Sequence, residues 1–346
     1  MAAPRRRRRR RLALILLVAF CTVLVSASGV AYYLGQRLVG PIDRIDGVFT
    51  GLEDRPTKPT KGPAARAVNI LVLGTDRRSA VPTTGDDARA DAWVPGAQRA
   101  DAMLLVHVDG DREGASVVSL PRDSWVDIPG HGFDKLNAAF SYGGPSLAVE
   151  AVEHLTDVRI DHLAVVDWAG IRAVTDELGG VEVTVPETVH DSARDRTWTA
   201  GVHRLDGQAA LDYVGQRYGL PGGDLDRARR QQNFLRVVMV DALRRIADGG
   251  VLEVYDLLRV MTSNLSVDDE WSAKEMASLA WSLRNLDDSE VAFLTAPVAG
   301  LGWEGPASVV YLDPDAGRPL WKALRNDRVG RWVDDHPDAL LADRVR

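Results

Sequence analysis

Three short segments each set charged residues beside a run of apolar ones. Val68 to Leu73 runs into Gly-Thr-Asp76, Arg99-Ala-Asp101 leads into Ala102 to Val108, and Ala115 to Leu120 runs into Pro-Arg122-Asp123. If these runs are strands of one sheet, Asp76, Asp101 and Arg122 stand at strand ends, where ligand crevices form in α/β sheets. Two carboxylates there offer hard oxygen ligands for Mg²⁺ or Mn²⁺, which take one or two from a protein beside phosphate oxygens and water. Arg122 adds a planar fork that matches phosphate. A fourth segment, Gly215 to Gln232, passes through the breakers Pro221, Gly222 and Gly223 to Asp224, an N-cap residue. Beyond it Arg227 and Gln231 lie one helical turn apart and share a face, while Arg217 reaches the same place from before the turn. Converging donors of this kind suit a polyanion, and the whole inventory suits a pyrophosphate between a metal and guanidinium groups. Phosphoryl transfer asks mainly for such positioning and charge stabilisation.

Each feature has a plain structural reading as well. An Asp after a strand is commonly a turn or cap residue, and Arg122-Asp123 reads equally as a surface ion pair. The Asp224 start fits ordinary capping, Arg229 and Arg230 are expected to face solvent, and Lys135 and Asn137 to frame a helix start. Other chemistries lack their signatures. The sequence holds no Gly-x-Ser-x-Gly elbow, no Walker A loop and no Gly-x-Gly-x-x-Gly after a strand. The histidines show no metal-ligand spacing, and His107, inside a strand, is expected to be structural.

The elements that must position these residues are legible from periodicity. Helical patterns begin at Lys135 and continue over Pro145–Leu155, Trp168–Leu178, Leu205–Val214, Asp224–Ala247, Val251–Met261, Trp271–Leu283 and Asp313–Arg325. Further strands are expected at Leu163–Val166, Val181–Val185, Val291–Thr295 and Ser308–Tyr311, and the alternation predicts an α/β layered domain. Ser79 to Gln98, rich in Gly, Pro and Asp, reads as a solvated loop, and 34–66, with its Pro-Thr-Lys repeats, as an extended linker. Residues 67–326 would form the domain and 327–346 a polar tail.

Charge is unevenly spread. The whole chain carries −7, yet Arg5 to Arg11 supply seven positive charges, so the remainder stands at −14. So acidic a body is a poor nonspecific partner for nucleic acid. The seven arginines (within a basic tail, 1–11) precede an apolar run from Leu12 to Tyr33, whose 22 residues span roughly 33 Å as a helix, enough for a bilayer core. They should remain cytoplasmic and place the rest of the chain outside, as a single-pass protein of the cell membrane. A cleaved signal peptide is the alternative, since Val25-Ser26-Ala27 resembles a cleavage site; the length of the apolar run favours a retained anchor. Cys21 is the only cysteine, so no intrachain disulfide forms.

Taken in order, the motifs resemble those of the LytR–CpsA–Psr family of membrane-anchored cell-wall ligases. They are Asn69 to Arg77, Arg99-Ala-Asp101-Ala-Met103, Ser119-Leu-Pro-Arg122-Asp123, Lys135-Leu-Asn137-Ala-Ala, Leu178-Gly-Gly-Val181, Leu205 to Leu211, and Gly222 to Arg227 with Arg230-Gln231-Gln232. The resemblance implies a three-layer α/β/α domain with a central mixed sheet and a hydrophobic cavity for a polyprenyl chain. It implies transfer of a glycopolymer from a polyprenyl-pyrophosphate carrier to a peptidoglycan hydroxyl, with or without pyrophosphatase activity. Asp76 and Asp101 match the Mg²⁺ (or Mn²⁺) ligands. Arg99, Arg122, Arg217, Arg227 and Gln231 match residues around the pyrophosphate. A carrier that binds polyprenyl phosphate with little or no turnover is the alternative.

Two departures stand out. Where the family carries Tyr-Val-Arg-x-Arg, this chain reads Tyr213-Val214-Gly215-Gln216-Arg217, one arginine short. On that ground Gly215 weakens activity and Gly215→Arg is expected to raise turnover or pyrophosphate affinity, unless another side chain, Arg77 or Arg78 for instance, fills the place. The Arg-x-Asp motif also has two candidates, Arg89-Ala-Asp91 and Arg99-Ala-Asp101, of which the second leads into a strand.

Overall fold

The structure is a computed structural model that describes residues 42–76, 99–216, 218–220 and 224–340. The expected basic tail, the apolar run to Tyr33, Arg89-Ala-Asp91 and the Ser79–Gln98 loop lie outside the described residues. Among the described residues no helix is long and apolar enough to cross a membrane.

The apolar runs form strands as their β-branched content requires. Strand β1 (Asp43–Ile45) comes first, then β2 (Val68–Asp76), β3 (Arg99–Val108) and β4 (Ala115–Ser119), followed by a hairpin of β5 (Trp125–Ile128) and β6 (Gly132–Lys135). Helix α1 (Leu136–Thr156) bends where Gly143, Gly144 (φ 63) and Pro145 interrupt it. Strand β7 (His162–Asp167) then leads into α2 (Trp168–Glu177), whose N-cap Asp167 accepts a bond from Gly170 N at 2.7 Å. Next come β8 (Val181–Val185), β9 (Val189–Asp191), β10 (Arg196–Trp198), β11 (Gly201–Leu205) and α3 (Gly207–Val214), the last capped by Asp206. Helices α4 (Asp224–Asp248) and α5 (Val251–Thr262), strand β12 (Leu265–Asp268) and helix α6 (Ala273–Ser282) follow. The chain continues with β13 (Val291–Thr295), β14 (Val298–Glu304), β15 (Ala307–Leu312), α7 (Pro314–Arg325) and α8 (Val329–Asp335).

Among the described residues, seven strands make one mixed sheet in the order β1-β12-β7-β2-β3-β4-β13. β3 runs antiparallel to β2 and β4, whereas β2 is parallel to β7 and β4 to β13. Side chains alternate between the two faces of a strand, and both faces here are apolar. Leu71, Leu73, Met103, Leu105, Val118 and Leu163 pack with Phe140 and Val149 of α1 and Leu320 and Leu324 of α7. Leu104, Val117 and Phe293 face the other way, where Leu235, Met239 and Val240 of α4 lie half-buried beside Val72 and Val106. Helices therefore cover both faces. A separate core joins α2, α3, α4 and α5 to the antiparallel pair of β8 and β11 through Ile171, Val183, Tyr213, Phe234 and Leu257. Helix α4 thus serves two cores, Phe234 and Val238 on one stripe and Leu235 and Met239 on the next.

The structure differs from expectation at both ends of the domain. From Ile42 onward the expected linker is part of the folded body. β1 pairs in parallel with β12, and Ile45, Val48 and Phe49 enter the main core. Arg55 forks onto Glu153 at 2.9 and 2.7 Å and also donates to Ile160 O at 2.6 Å, with side-chain exposures of 10% and 3% for the pair. The expected polar tail likewise folds through α8, with Val329 buried in the same core and Trp332 and Val333 packed against it. Neither end has a period long enough to be read, because each is held by contacts to residues far away in the sequence.

Arg55→Met would leave Glu153 charged and buried without its guanidinium. We expect a loss of about 3–5 kcal/mol in unfolding free energy, read from the denaturant midpoint. A loss below about 1 kcal/mol, the range of exposed pairs, would mean that residues 42–66 are tethered to the domain without being built into it.

Candidate functional site

The site forms where β2 and β3 go out of step. Gly74 pairs with Ala102 and Thr75 with Ala100, which leaves Asp101 as the extra residue of a β-bulge. Bulges redirect a side chain out of the regular alternation. The strands approach closely here, and a Cβ on Gly74 would lie 3.0 Å from the Ala102 Cβ, so the position favours glycine. Arg122 follows β4, where its backbone carbonyl accepts the Asn137 N–H at 2.9 Å and so ties the loop to the start of α1. Its Nη1 donates to Asp101 Oδ1. Asp101 is 9% and Arg122 13% exposed, so the pair is largely removed from water. Asp123 accepts Lys135 Nζ at 2.9 Å and lies 3.5 Å from Arg122 Nε. Lys135 and Asn137 therefore frame the helix start and hold the Arg122 loop at once.

A cavity of about 610 Å³ opens over this pair. Asp101, Arg122, Arg194, Arg227 and Gln231 supply its polar wall, while Trp168, Leu211, Val214 and Tyr218 supply apolar surface. Arg227 and Gln231 are buried one turn apart on α4, and Gln231 Nε2 donates to Val214 O at 3.4 Å. Four of the site residues expected from sequence thus come together: Asp101, Arg122, Arg227 and Gln231. Arg217 lies outside the described residues, as do the side chains of Asp76 and Arg99. The backbone sets Asp76 opposite Arg99 at the end of the β2–β3 ladder, immediately past the bulge that carries Asp101. Carboxylates are the hard oxygen donors that a divalent cation takes beside water and phosphate oxygens, and the sequence puts one on each of these adjacent strands.

Two arginines depart from expectation. Arg230 was expected in solvent, yet it is buried, donates to Gln216 Oε1 at 2.7 Å and stacks 4.5 Å from the Tyr213 ring centroid. Burial pushes the Tyr213 phenol up, and the Arg230 charge draws it partly back. Arg194 was not foreseen at all. It follows β9, where Nη1 bonds Asp191 Oδ2 at 2.9 Å and Gly215 O at 3.3 Å. A Cβ on Gly215 would meet Arg194 Nη2 at 2.9 Å and Leu211 O at 2.8 Å. The place of the missing arginine is therefore taken by a guanidinium from another loop. Only the pairing of β9 with β10, strands of three residues each, brings it there, and no local sequence pattern signals that.

Known proteins agree with this architecture. The LytR_cpsA_psr family model matches residues 50–325. A probable cell wall biosynthesis protein, LcpB, of Corynebacterium glutamicum is 29% identical over 78% of this chain and 64% of its own length. The polyisoprenyl-teichoic acid–peptidoglycan teichoic acid transferase TagT of Bacillus subtilis is 32% identical over 77% of this chain and 78% of its own. The chain thus spans under two thirds of the first of these relatives. The solved structure of a LytR-Csp2A-Psr enzyme from Actinomyces oris has the same fold, with a TM-score of 0.61 at 24% identity over 82% of this chain and 95% of that one. This chain belongs to the LytR_cpsA_psr family.

Proposed function

We propose that the protein is a phosphotransferase that moves a glycopolymer from a polyprenyl-pyrophosphate carrier to a peptidoglycan hydroxyl. The observation that carries this reading is the convergence of Arg122, Arg194, Arg227 and Gln231 with Asp101 on one cavity, three guanidinium groups and an amide around a carboxylate. The name of its relative TagT, a transferase of teichoic acid to peptidoglycan, supports the same class of reaction.

In this reading Arg122, Arg194 and Arg227 neutralise the pyrophosphate and Gln231 donates to a phosphate oxygen. Arg99 and Arg217 join them by the family pattern. Asp76 and Asp101 would hold Mg²⁺ or Mn²⁺, which when bound offsets charge on the phosphate oxygens. Asp101 and Arg122 are each other's partners across the cavity floor, and each has the chemistry of one half of a metal–pyrophosphate complex. The acceptor hydroxyl oxygen bonds the sugar-side phosphorus and releases its proton to solvent, the bond to the bridging oxygen breaks, and polyprenyl phosphate leaves. The apolar carrier would lie along the half-buried strip of Val72, Val106, Leu235 and Met239 between sheet and α4. The arginine-led apolar run would anchor the chain in the cell membrane with the domain outside.

Purified full-length protein, given polyprenyl-pyrophosphoryl sugar, Mg²⁺ and peptidoglycan, should label the peptidoglycan. The Asp76→Ala, Asp101→Ala double variant should lose that labelling, and full turnover by it would sink the metal assignment. Bound polyprenyl phosphate with no labelled product over hours would favour the carrier reading instead, and free phosphate products without labelled wall would favour a pyrophosphatase.

Arg194→Ala should lower pyrophosphate affinity or turnover roughly ten- to a hundredfold, the worth of one charge-assisted hydrogen bond at about 1.5–3 kcal/mol. The crowding at Gly215 argues against a gain from Gly215→Arg. The new side chain would displace Arg194 and press on Leu211 O, so no gain is expected in steady-state assays. A gain in Gly215→Arg together with an unchanged Arg194→Ala would show that Arg194 does not serve the pocket.

A further inference from the structure

The far end of β3 carries a second constellation, six residues on from Asp101 and so about 20 Å along the strand. His107 is fully buried there. Asn69 Nδ2 donates to Arg159 O at 2.8 Å, which fixes the amide so that its Oδ1 faces His107 Nδ1 at 2.7 Å. An oxygen can only accept, so Nδ1 carries a proton and Nε2 is the ring atom turned to the carboxylates. That nitrogen faces two carboxylate oxygens, Asp327 Oδ1 at 3.0 Å and Asp109 Oδ1 at 3.5 Å. Two carboxylates this close to one imidazole nitrogen call for a positive charge among them, either a proton on Nε2 or a metal ion.

The Arg112 charge draws both carboxyls down from nearby, yet few hydrogen-bond donors reach the cluster. Asp109 Oδ1 is closed to solvent and meets no hydrogen-bond donor among the described residues. Asp327 accepts the Gly110 N–H at 3.2 Å through each oxygen. The neighbouring Arg112 turns its Nη1 to Asp109 O and its Nη2 to Arg66 O, both at 2.9 Å, and so bonds backbone carbonyls. The ligand atoms of His107, Asp109 and Asp327 all lie within 4.8 Å of one another. A tetrahedral site with bonds of about 2.0–2.1 Å has ligand–ligand edges of roughly 3.3–3.4 Å, close to the two separations found.

We propose that His107, Asp109 and Asp327 bind a divalent transition ion of the Zn²⁺ class, at a site separate from the Asp76–Asp101 pair. One imidazole nitrogen and two carboxylates form a mixed set that Zn²⁺ accepts and that Mg²⁺ and Ca²⁺, which prefer all-oxygen ligands, do not. Asn69 acts as the outer partner that orients the imidazole. The ion would join the turn after β3 to the turn between α7 and α8, so its role is to pin α7 and α8 onto the sheet.

The test uses the untagged full-length chain, stripped with a chelator, equilibrated with Zn²⁺ and freed of excess. Elemental analysis should find about one equivalent per chain, retained in the Asp76→Ala, Asp101→Ala variant and lost in His107→Gln. Zn²⁺ should raise the melting temperature of wild type and leave that of His107→Gln unmoved. Should His107→Gln fail to fold, Asp109→Asn keeps the imidazole in place and is still expected to lose the ion. Absence of retained Zn²⁺ in wild type, or equal retention in wild type and Asp109→Asn, would overturn the site and leave an imidazolium held between two carboxylates. Loss of the ion in the Asp76, Asp101 variant alone would assign it to that pair instead.

Discussion

The pairing of Asp101 with Arg122 is the contact on which the rest of the site depends. Both side chains are withdrawn from water, and ions so placed are costly unless each meets a partner. The pair forms because a bulge turns Asp101 out of the β2–β3 ladder toward the loop after β4. That loop is in turn fastened to α1 by the Asn137 N–H and to Lys135 through Asp123. A strand irregularity, a loop and a helix start thus converge on one ion pair, and the cavity is built over it.

The fold supplies the other wall from the opposite direction. Helix α4 divides its apolar residues between two cores, which leaves Arg227 and Gln231, a turn apart near its N-terminal end, buried at the cavity. The α2–α5 core holds α3 against α4, so that Val214 and Gly215 close the gap between Arg227 and Arg194. Positioning of this kind is what phosphoryl transfer demands, since most of its barrier is lowered by fixed charges held around the phosphates.

Much of this was legible in the sequence. The runs that became β2, β3, β4, β7, β8 and β13 carry apolar strand signals, and the long helices carry regular spacing, so the strand ends bearing Asp101 and Arg122 could be located. Features decided by distant contacts were not legible. Arg194 reaches the cavity through a hairpin of very short strands, and Arg230 is drawn inward by Gln216 and the Tyr213 ring. Residues 42–66 look like a linker because Pro and Lys dominate the later part, yet Arg55 finds a partner 98 positions away. His107 looked structural in isolation, and only the return of the chain at Asp327 gives it a second carboxylate.

The central claim is that one cavity, floored by Asp101 and Arg122, receives the pyrophosphate of a lipid carrier. The most direct measurement is a crystal structure of the protein with a polyprenyl pyrophosphate and Mg²⁺. The account predicts phosphate oxygens at about 2.7–2.9 Å, the length of charge-assisted bonds, from the guanidinium groups of Arg122, Arg194 and Arg227, with the apolar chain running between the sheet and α4. A pyrophosphate bound elsewhere, with Asp101 and Arg122 still joined beneath an unused cavity, would contradict it.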